Sequence, residues 1–271
     1  MLASAVTEKE GLLEIDGLAK TFKGLRAVDG YHLRLRTGEI LGIIGPNGAG
    51  KSTVFNLLTG HIRPTRGTIR FRGRDITRMS PDRIARLGIG RTFQNIRLFS
   101  SMTVLENVVS ARQLRDRSGF LPTLLSLPSF HGTEWRLARE AREELALFGL
   151  ADRAEAPATS LPYGDQRRLE IVRALALAPS LLLLDEPTAG MNARESMIVL
   201  DLIRRIHDRY SLTIIIVEHN MPLVMRLCER IQVLNYGQII SEGTPEKVRT
   251  DPKVVESYLG QVDENAQARI G

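Results

Sequence analysis

Three short runs of apolar residues, 40–44, 181–184 and 214–217, stand out from the mixed patterns around them. Runs of this length fit strands buried on both faces, and the helical patterns between them predict a parallel sheet. Residues 135–148 and 196–210 carry apolar positions at helical spacing amid Arg and Glu. An Arg-rich helix is expected from just after Ser160 to about Ala178, stopped by Pro179. Upstream, residues 12–98 read as strands and turns plus one helix, punctuated by Gly30, Gly38, Gly67 and Gly73. There Ile69 and Phe71 alternate with Arg70 and Arg72, as on a strand with one solvated face. Thr103, followed three residues later by Glu106, makes a capping box that opens a helix over 104–114. Residues 118–132, rich in Pro, Ser and Gly, predict a loop or broken helix. Pro245 and Pro252 open short C-terminal helices, and 261–271 is a polar tail expected to fray.

Composition narrows the class without naming a function. A chain of 271 residues, 43% hydrophobic and 25% charged, matches ordinary globular proteins and excludes global disorder. The apolar runs fall far short of the roughly 20 residues that a membrane-spanning helix needs. The first ten residues lack a basic start followed by an apolar stretch, so the chain is expected to stay in the cytosol. Cys228 is the single cysteine, which excludes an intrachain disulfide and a cysteine metal cage and predicts a packed core thiol. A net charge of +6 suits nucleic acid, anionic nucleotides or an anionic membrane face equally.

The chemistry concentrates in two places. Gly45-Pro46-Asn47-Gly48-Ala49-Gly50-Lys51-Ser52-Thr53 follows one apolar run and precedes a helix-like segment, the context a P-loop requires. Its glycines let backbone N–H groups curl around phosphate oxygens, Lys51 offers a cation to the outer phosphates, and the Ser52 hydroxyl can ligate Mg²⁺. The second place is the end of the run at 181–184, where Asp185 and Glu186 precede Pro187. A carboxylate at the strand end suits Mg²⁺, and the next can polarise a water for in-line attack on a γ-phosphate. Standing alone, such a pair also fits a strand cap or a turn before Pro187.

Ahead of that strand lies Ser160-Leu161-Pro162-Tyr163-Gly164-Asp165-Gln166-Arg167-Arg168-Leu169-Glu170. With the P-loop and the Asp-Glu strand, it resembles ABC ATPases, the segment standing where they carry their signature loop and helix. The resemblance runs from about Leu13 to Gly260. It implies that Phe22 stacks on adenine, that Gln94 links Mg²⁺ and the γ-phosphate to a transmembrane partner, and that His219 holds the γ-phosphate. Read singly, Phe22 also fits a core aromatic, Gln94 a surface polar residue and His219 a structural histidine at a strand end. A finer resemblance, to ATP-binding subunits of branched-chain amino-acid importers, rests on Gly90 to Phe99, Met102 to Asn107, Tyr163 to Ile171, Ala189 to Asn192, Val217 to Met221, and the ending from Gly243 through Tyr258-Leu259-Gly260. Three positions depart from the general family pattern: Pro162 for Ser, Asp165 for Gln and Asn192 for Asp. Pro162 and Asp165 fit either helix-start chemistry or an altered partner site.

The expected fold is α/β: a P-loop NTPase core of the ABC ATPase type with an antiparallel β subdomain and a helical subdomain. It forms one domain over 11–260, with a helical insert at about 95–160 and a tail at 261–271. The resemblance implies an ATPase that uses ATP and Mg²⁺, with Ser52, Gln94 and Asp185 on the metal and Glu186, His219 and Gln94 in catalysis. It also implies a head-to-tail dimer with a second ATPase chain, identical or not, in which Tyr163 and Gly164 close the other chain's nucleotide. Transmembrane permease subunits and an extracytoplasmic substrate-binding protein complete the implied assembly, with this chain peripheral on the cytoplasmic face. The rival reading is a soluble ABC ATPase acting on nucleic acid or ribosomes. Such proteins usually carry two fused cassettes or a long coiled-coil insert, which this sequence lacks. A P-loop kinase would have no use for a signature helix.

Overall fold

The computed structural model describes residues 11–115 and 128–258. In chain order the elements are β1 (Gly11–Phe22), β2 (Leu25–Arg36), β3 (Ile40–Ile44), α1 (Lys51–Leu58), β4 (Arg66–Phe71), β5 (Arg74–Asp75), α2 (Pro81–Arg86), β6 (Ile89–Arg91), α3 (Val104–Arg115) and α4 (Pro128–Leu147). Then follow α5 (Tyr163–Leu175), β7 (Leu181–Asp185), α6 (Ala193–Tyr210), β8 (Thr213–Val217), α7 (Met221–Leu227), β9 (Arg230–Asn235), β10 (Gln238–Gly243) and α8 (Pro245–Thr250). They form two compact units. The first gathers the described residues up to Ile84 and from Arg209 onward, and the second spans Ala85–Asp208.

In the first unit β2, β1, β4 and β5 make an antiparallel sheet in that order, the antiparallel β subdomain of the expected fold. Ile69 and Phe71 are buried while Arg66 and Arg70 are exposed, so the alternation does mark a half-solvated strand. Register explains how the arginines are tolerated. Glu14 stands opposite Arg34 on one side and Arg70 on the other, and Arg70 stands opposite Asp75. Opposite charges facing across strands stabilise a sheet, whereas like charges would repel.

The other strands of this unit run β10, β9, β3, β8, with β3 parallel to both neighbours and β9 antiparallel to β10. Both β3 and β8 are buried throughout, which is why they read as unbroken apolar runs. The Tyr31 hydroxyl donates to Gln232 Oε1 over 2.7 Å in the core, and Gln232 Nε2 donates to the His32 carbonyl over 3.2 Å, tying β2 to β9. Cys228 is buried, and burial pushes its thiol well up, so it is the packed core thiol expected. The β9–β10 hairpin has no counterpart in the sequence expectations. Its turn places Tyr236 at φ 45° and Gly237 at φ 78°, the paired left-handed conformation of a two-residue hairpin loop.

In the second unit β6 pairs in parallel with β7, Ile89 opposite Leu181 and Arg91 opposite Leu183. The predicted capping box opens α3: Thr103 N–H donates to Glu106 Oε2 over 2.7 Å, and Glu106 N–H donates to Thr103 Oγ1 over 3.1 Å. Arg112 on α3 is buried between Glu140 and Glu144 of α4, with Glu144 at 2.6 Å. Three helix boundaries differ from expectation, α6 starting at Ala193 rather than at 196. Helix α4 starts at Pro128, within the stretch read as a loop, because Pro in the first turn sacrifices an N–H that has no helical partner anyway; positions 118–127 of that stretch lie outside the described residues. Helix α5 ends at Leu175 rather than about 178, because Ala178, preceding Pro179, takes φ 46°. The tail at 261–271 also lies outside the described residues. Among those described, no helix is long and apolar enough to cross a membrane.

Candidate functional site

The features expected to bind phosphate lie in the first unit. The loop from Gly45 leaves buried β3 and enters α1 at Lys51, where Val54 N–H takes the Gly50 carbonyl at 2.9 Å. A side chain cannot be accommodated at either end of the loop. Gly45 has φ 149°, and a Cβ there would sit 2.1 Å from the Leu234 carbonyl oxygen; Gly50 has φ 105°, with the Ala27 carbonyl oxygen at 2.5 Å. Gly48, at φ 79°, has open space and requires glycine for conformation alone. The β9–β10 hairpin fixes the loop from outside, as Gly237 N–H donates to the Ala49 carbonyl over 2.9 Å. No side chain caps α1 and no acidic residue occupies its first turn, so its leading N–H groups form a ready anion site. Buried Lys51 holds its Nζ on the Gly45 and Pro46 carbonyls at 2.6 and 2.8 Å. Ser52 is exposed and Thr53 half-buried, while Asn47 and Gly48 lie open at the loop's crest.

Two further predicted residues belong to this unit. Phe22 ends β1 with 43% of its surface exposed and Lys20 Nζ 5.0 Å from its ring centre, so it is no core aromatic and offers a ring face for stacking. His219 follows β8 with its ring largely exposed, and its backbone N–H donates to the fully buried Glu218 at 3.3 Å.

The second unit holds the carboxylates. Arg91 Nη2 lies 3.0 Å from Asp185 Oδ2, both side chains being buried, and Asp185 N–H donates to Thr92 Oγ1 over 3.2 Å. The other carboxylate oxygen, Oδ1, is buried without a hydrogen-bond partner. Burial holds the Asp185 carboxyl above the ordinary range; Arg91 opposes the rise and Glu186 adds to it. Glu186 has φ 47°, a conformation that non-glycine residues enter at a cost and that clusters at working sites. Gln94, far away in sequence, donates from Nε2 to Glu186 Oε2 over 3.1 Å.

Signature residues open α5. Asp165 and Gln166 N–H groups take the Pro162 carbonyl at 2.9 and 3.0 Å, so Tyr163 and Gly164 supply the unused donors of a helix start. Asp165 forms a short ion pair with Arg168. Asn192 is explained locally. Its N–H donates to Glu195 Oε2 over 3.0 Å and its Oδ1 accepts from Glu195 N–H over 2.9 Å, a capping box for α6. Sequence reasoning overlooked this Asn-x-x-Glu signal. It also overlooked Arg167 and Glu170, both buried, which grip the backbone at Phe93 and Gln94. Their i,i+3 charge pairing in an otherwise apolar helix face was the available clue.

Within the second unit, then, Gln94, Asp185, Glu186 and the signature helix come together; the first unit gathers the P-loop, Phe22 and His219. Taken unit by unit, a phosphate cradle with a lysine, and a buried carboxylate with a spare oxygen next to a second carboxylate, are the kinds of groups that nucleoside triphosphate hydrolysis uses.

Comparison with known proteins agrees. The ABC transporter family matches residues 28–189, and the family described as branched-chain amino acid ATP-binding cassette transporter matches 238–264. The chain is 44% identical to the high-affinity branched-chain amino acid transport ATP-binding protein LivG of Salmonella typhimurium, over 92% of this chain and 98% of that one. Among solved structures, an ATP-binding cassette of an ABC transporter in its ADP conformation has a TM-score of 0.79 at 30% identity, covering 93% of this chain and 99% of the other. A dimeric cassette in a post-hydrolysis state, bound to ADP and phosphate, has a TM-score of 0.74 at 25% identity, covering 86% and 98%. A match over more than half the chain, joined to that identity over nearly all of it, makes this chain a member of the ABC transporter family, an ATP-binding subunit of the ATP-hydrolysing kind.

Proposed function

We propose that this chain hydrolyses ATP to power an importer of branched-chain or other hydrophobic amino acids. The hydrolytic part is supported by the Gln94–Glu186 hydrogen bond, which joins the proposed general base to the residue proposed to link the γ-phosphate to the transmembrane partner. The cargo rests on the match at 238–264 and on the transport role named for LivG.

In this reading the P-loop N–H groups and Lys51 hold the phosphates, and Phe22 stacks on the adenine. Glu186 takes a proton from the attacking water, His219 holds the γ-phosphate, and Gln94 orients the water through its contact with Glu186. Asp185 suits Mg²⁺, since it keeps one buried oxygen without a partner, a hard anionic ligand of the kind this ion prefers; Ser52 and Gln94 would be the other ligands, as the family resemblance implies. When bound, the ion neutralises charge on the β- and γ-phosphate oxygens.

The similarity to a dimeric cassette supports pairing with a second ATPase chain, each signature loop closing the other chain's nucleotide. Transmembrane permease subunits and, through them, an extracytoplasmic binding protein complete the assembly, with this chain peripheral on the cytoplasmic face. The alternating charges of Arg34, Glu14, Arg70 and Asp75 do not make the single-sign face that nucleic acid binding favours. Reconstitution with its permease and binding-protein partners in liposomes tests the reading: ATP-dependent uptake of labelled leucine is expected. ATPase activity stimulated by RNA or DNA, without such uptake, overturns it.

A further inference from the structure

Arg167 is almost wholly buried one turn into α5, and its guanidinium reaches four acceptors. Nε and Nη2 donate to the Tyr163 hydroxyl over 3.2 and 3.0 Å. Nη1 donates to the Phe93 carbonyl over 2.7 Å and to Glu170 Oε2 over 3.3 Å, and Nη2 donates to the Gln94 carbonyl. Glu170 closes the grip, its Oε1 accepting the Phe93 N–H at 3.2 Å. The Phe93–Gln94 segment belongs to no helix or strand, so these bonds do for it what a ladder does elsewhere. Its next group outward is the Gln94 side chain on Glu186. At the other end Tyr163 is half-exposed, its ring against Gly190, where an added Cβ would lie 3.1 Å away.

An unbroken line of hydrogen bonds therefore runs from the signature loop to the general base. On the dimer reading proposed above, which this inference rests on, the two ends serve different nucleotides: Tyr163 faces the ATP of the second cassette and Glu186 the ATP of this chain. We propose that Arg167 is a positioning residue that couples the two ATP sites, holding Gln94 on Glu186 in a register set by the signature loop through Tyr163. A planar guanidinium, which fixes three directions at once, suits this task, and a lysine ammonium does not.

The test uses the assembled transporter, with ATP turnover followed against ATP concentration for Tyr163→Phe, Arg167→Lys, Arg167→Met, Gln94→Ala and the double variants. Misplacing a catalytic group costs about 10- to 100-fold in rate, so Tyr163→Phe and Arg167→Met should lower kcat by that order. ATP affinity, set by the P-loop, should stay within about 2-fold. Arg167→Lys should recover only part of the loss. Added to Gln94→Ala, either substitution should cost less than about 2-fold, because the line is already cut. If the losses multiply in the double variants instead, the residues act separately and the coupling is overturned, while the ATPase reading stands. If Gln94→Ala leaves turnover and uptake at wild-type levels, the proposed role of Gln94 falls and the coupling with it. Should Arg167→Met fail to fold, the Tyr163→Phe and Gln94→Ala cycle decides alone, since removing one hydroxyl from a half-exposed ring leaves the core intact.

Discussion

Gln94 and Glu186, 92 positions apart, meet through a 3.1 Å hydrogen bond from the glutamine amide to the glutamate carboxylate. Glu186 reaches this bond from a left-handed backbone conformation just past β7, and Gln94 from an irregular segment gripped by Arg167 and Glu170. Neither residue is placed by regular secondary structure. Local strain held in position by surrounding bonds is a common mark of a working site.

Glu186→Gln should lower ATP turnover by about 10²- to 10⁴-fold while leaving ATP binding near wild type. The amide keeps the size of the side chain and can still accept from Gln94, so only the proton acceptor is lost. Phosphate release and nucleotide titration on the same preparation would check this, and turnover within a few-fold of wild type would sink the general-base assignment.

The P-loop glycines should separate by cause. At Gly48 a methyl group meets open space, so Gly48→Ala carries only the left-handed backbone penalty of about 1–2 kcal/mol. At Gly45 the methyl group would collide with the β9 backbone at Leu234, and a main-chain carbonyl cannot swing aside as a flexible side chain can. Denaturant unfolding should therefore show a larger loss for Gly45→Ala, accompanied by lost nucleotide binding. Equal losses would mean that the close approach to β9 is not what demands glycine there.

Much of this was legible in the sequence because burial on both faces leaves an unmistakable trace. The strands β3, β7 and β8, with Gly45 to Thr53 after one and Asp185-Glu186 ending another, could be read directly from apolar runs and motif spacing. The β9–β10 hairpin was missed although Tyr236-Gly237 makes a tight turn, because Gln232 and Glu242 interrupt its apolar pattern with polar side chains paired to each other over 3.0 Å. The i,i+3 pairing of Arg167 and Glu170 could be read from the sequence, but its grip on Phe93 and Gln94 could not, for a different reason. It is a contact between side chains and the backbone of a distant segment, and such contacts leave no periodicity.

Arg112 and Glu144, buried together and joined by half-exposed Glu140, predict a pH response. Burial pushes the Glu144 carboxyl above its ordinary value, with Arg112 opposing and Glu140 adding to the rise. Folded protein thus binds a proton there more readily than unfolded protein, so this group's contribution to stability grows as pH falls from the raised value toward the ordinary 4.5, and is lost as pH climbs back. Glu144→Gln should flatten that part of the stability profile in thermal melts. Arg112→Met, which strands the buried Glu144 carboxylate, should cost about 3–5 kcal/mol. A Glu144→Gln profile parallel to wild type would assign the pH dependence elsewhere.

Pro162 and Asp165 pose the question of whether, in the proposed dimer, the site that this signature loop would close is handicapped. An aspartate near a γ-phosphate would repel it unless its charge were answered, and here it is: Arg168 pairs with Asp165, and the carboxylate stands in the first turn of α5, where the helix dipole favours a negative charge. Arg168 is itself steadied by donating to the Phe148 carbonyl over 2.7 Å. Pro162 occupies the N-cap position at φ −53°, its carbonyl taking the first helical hydrogen bonds, so the missing N–H is one a helix start does not use. Both departures are thus accounted for by how the helix begins. Asp165→Gln and Pro162→Ser, alone or together, should change turnover of the assembled transporter by less than about 3-fold, the scale of surface substitutions away from special features. Arg168→Ala should cost more, because it frees the aspartate charge to face phosphate, and Asp165→Gln added to it should restore part of the loss. A clear rise in turnover for Asp165→Gln by itself would mean instead that the carboxylate does weaken the partner's site despite its arginine.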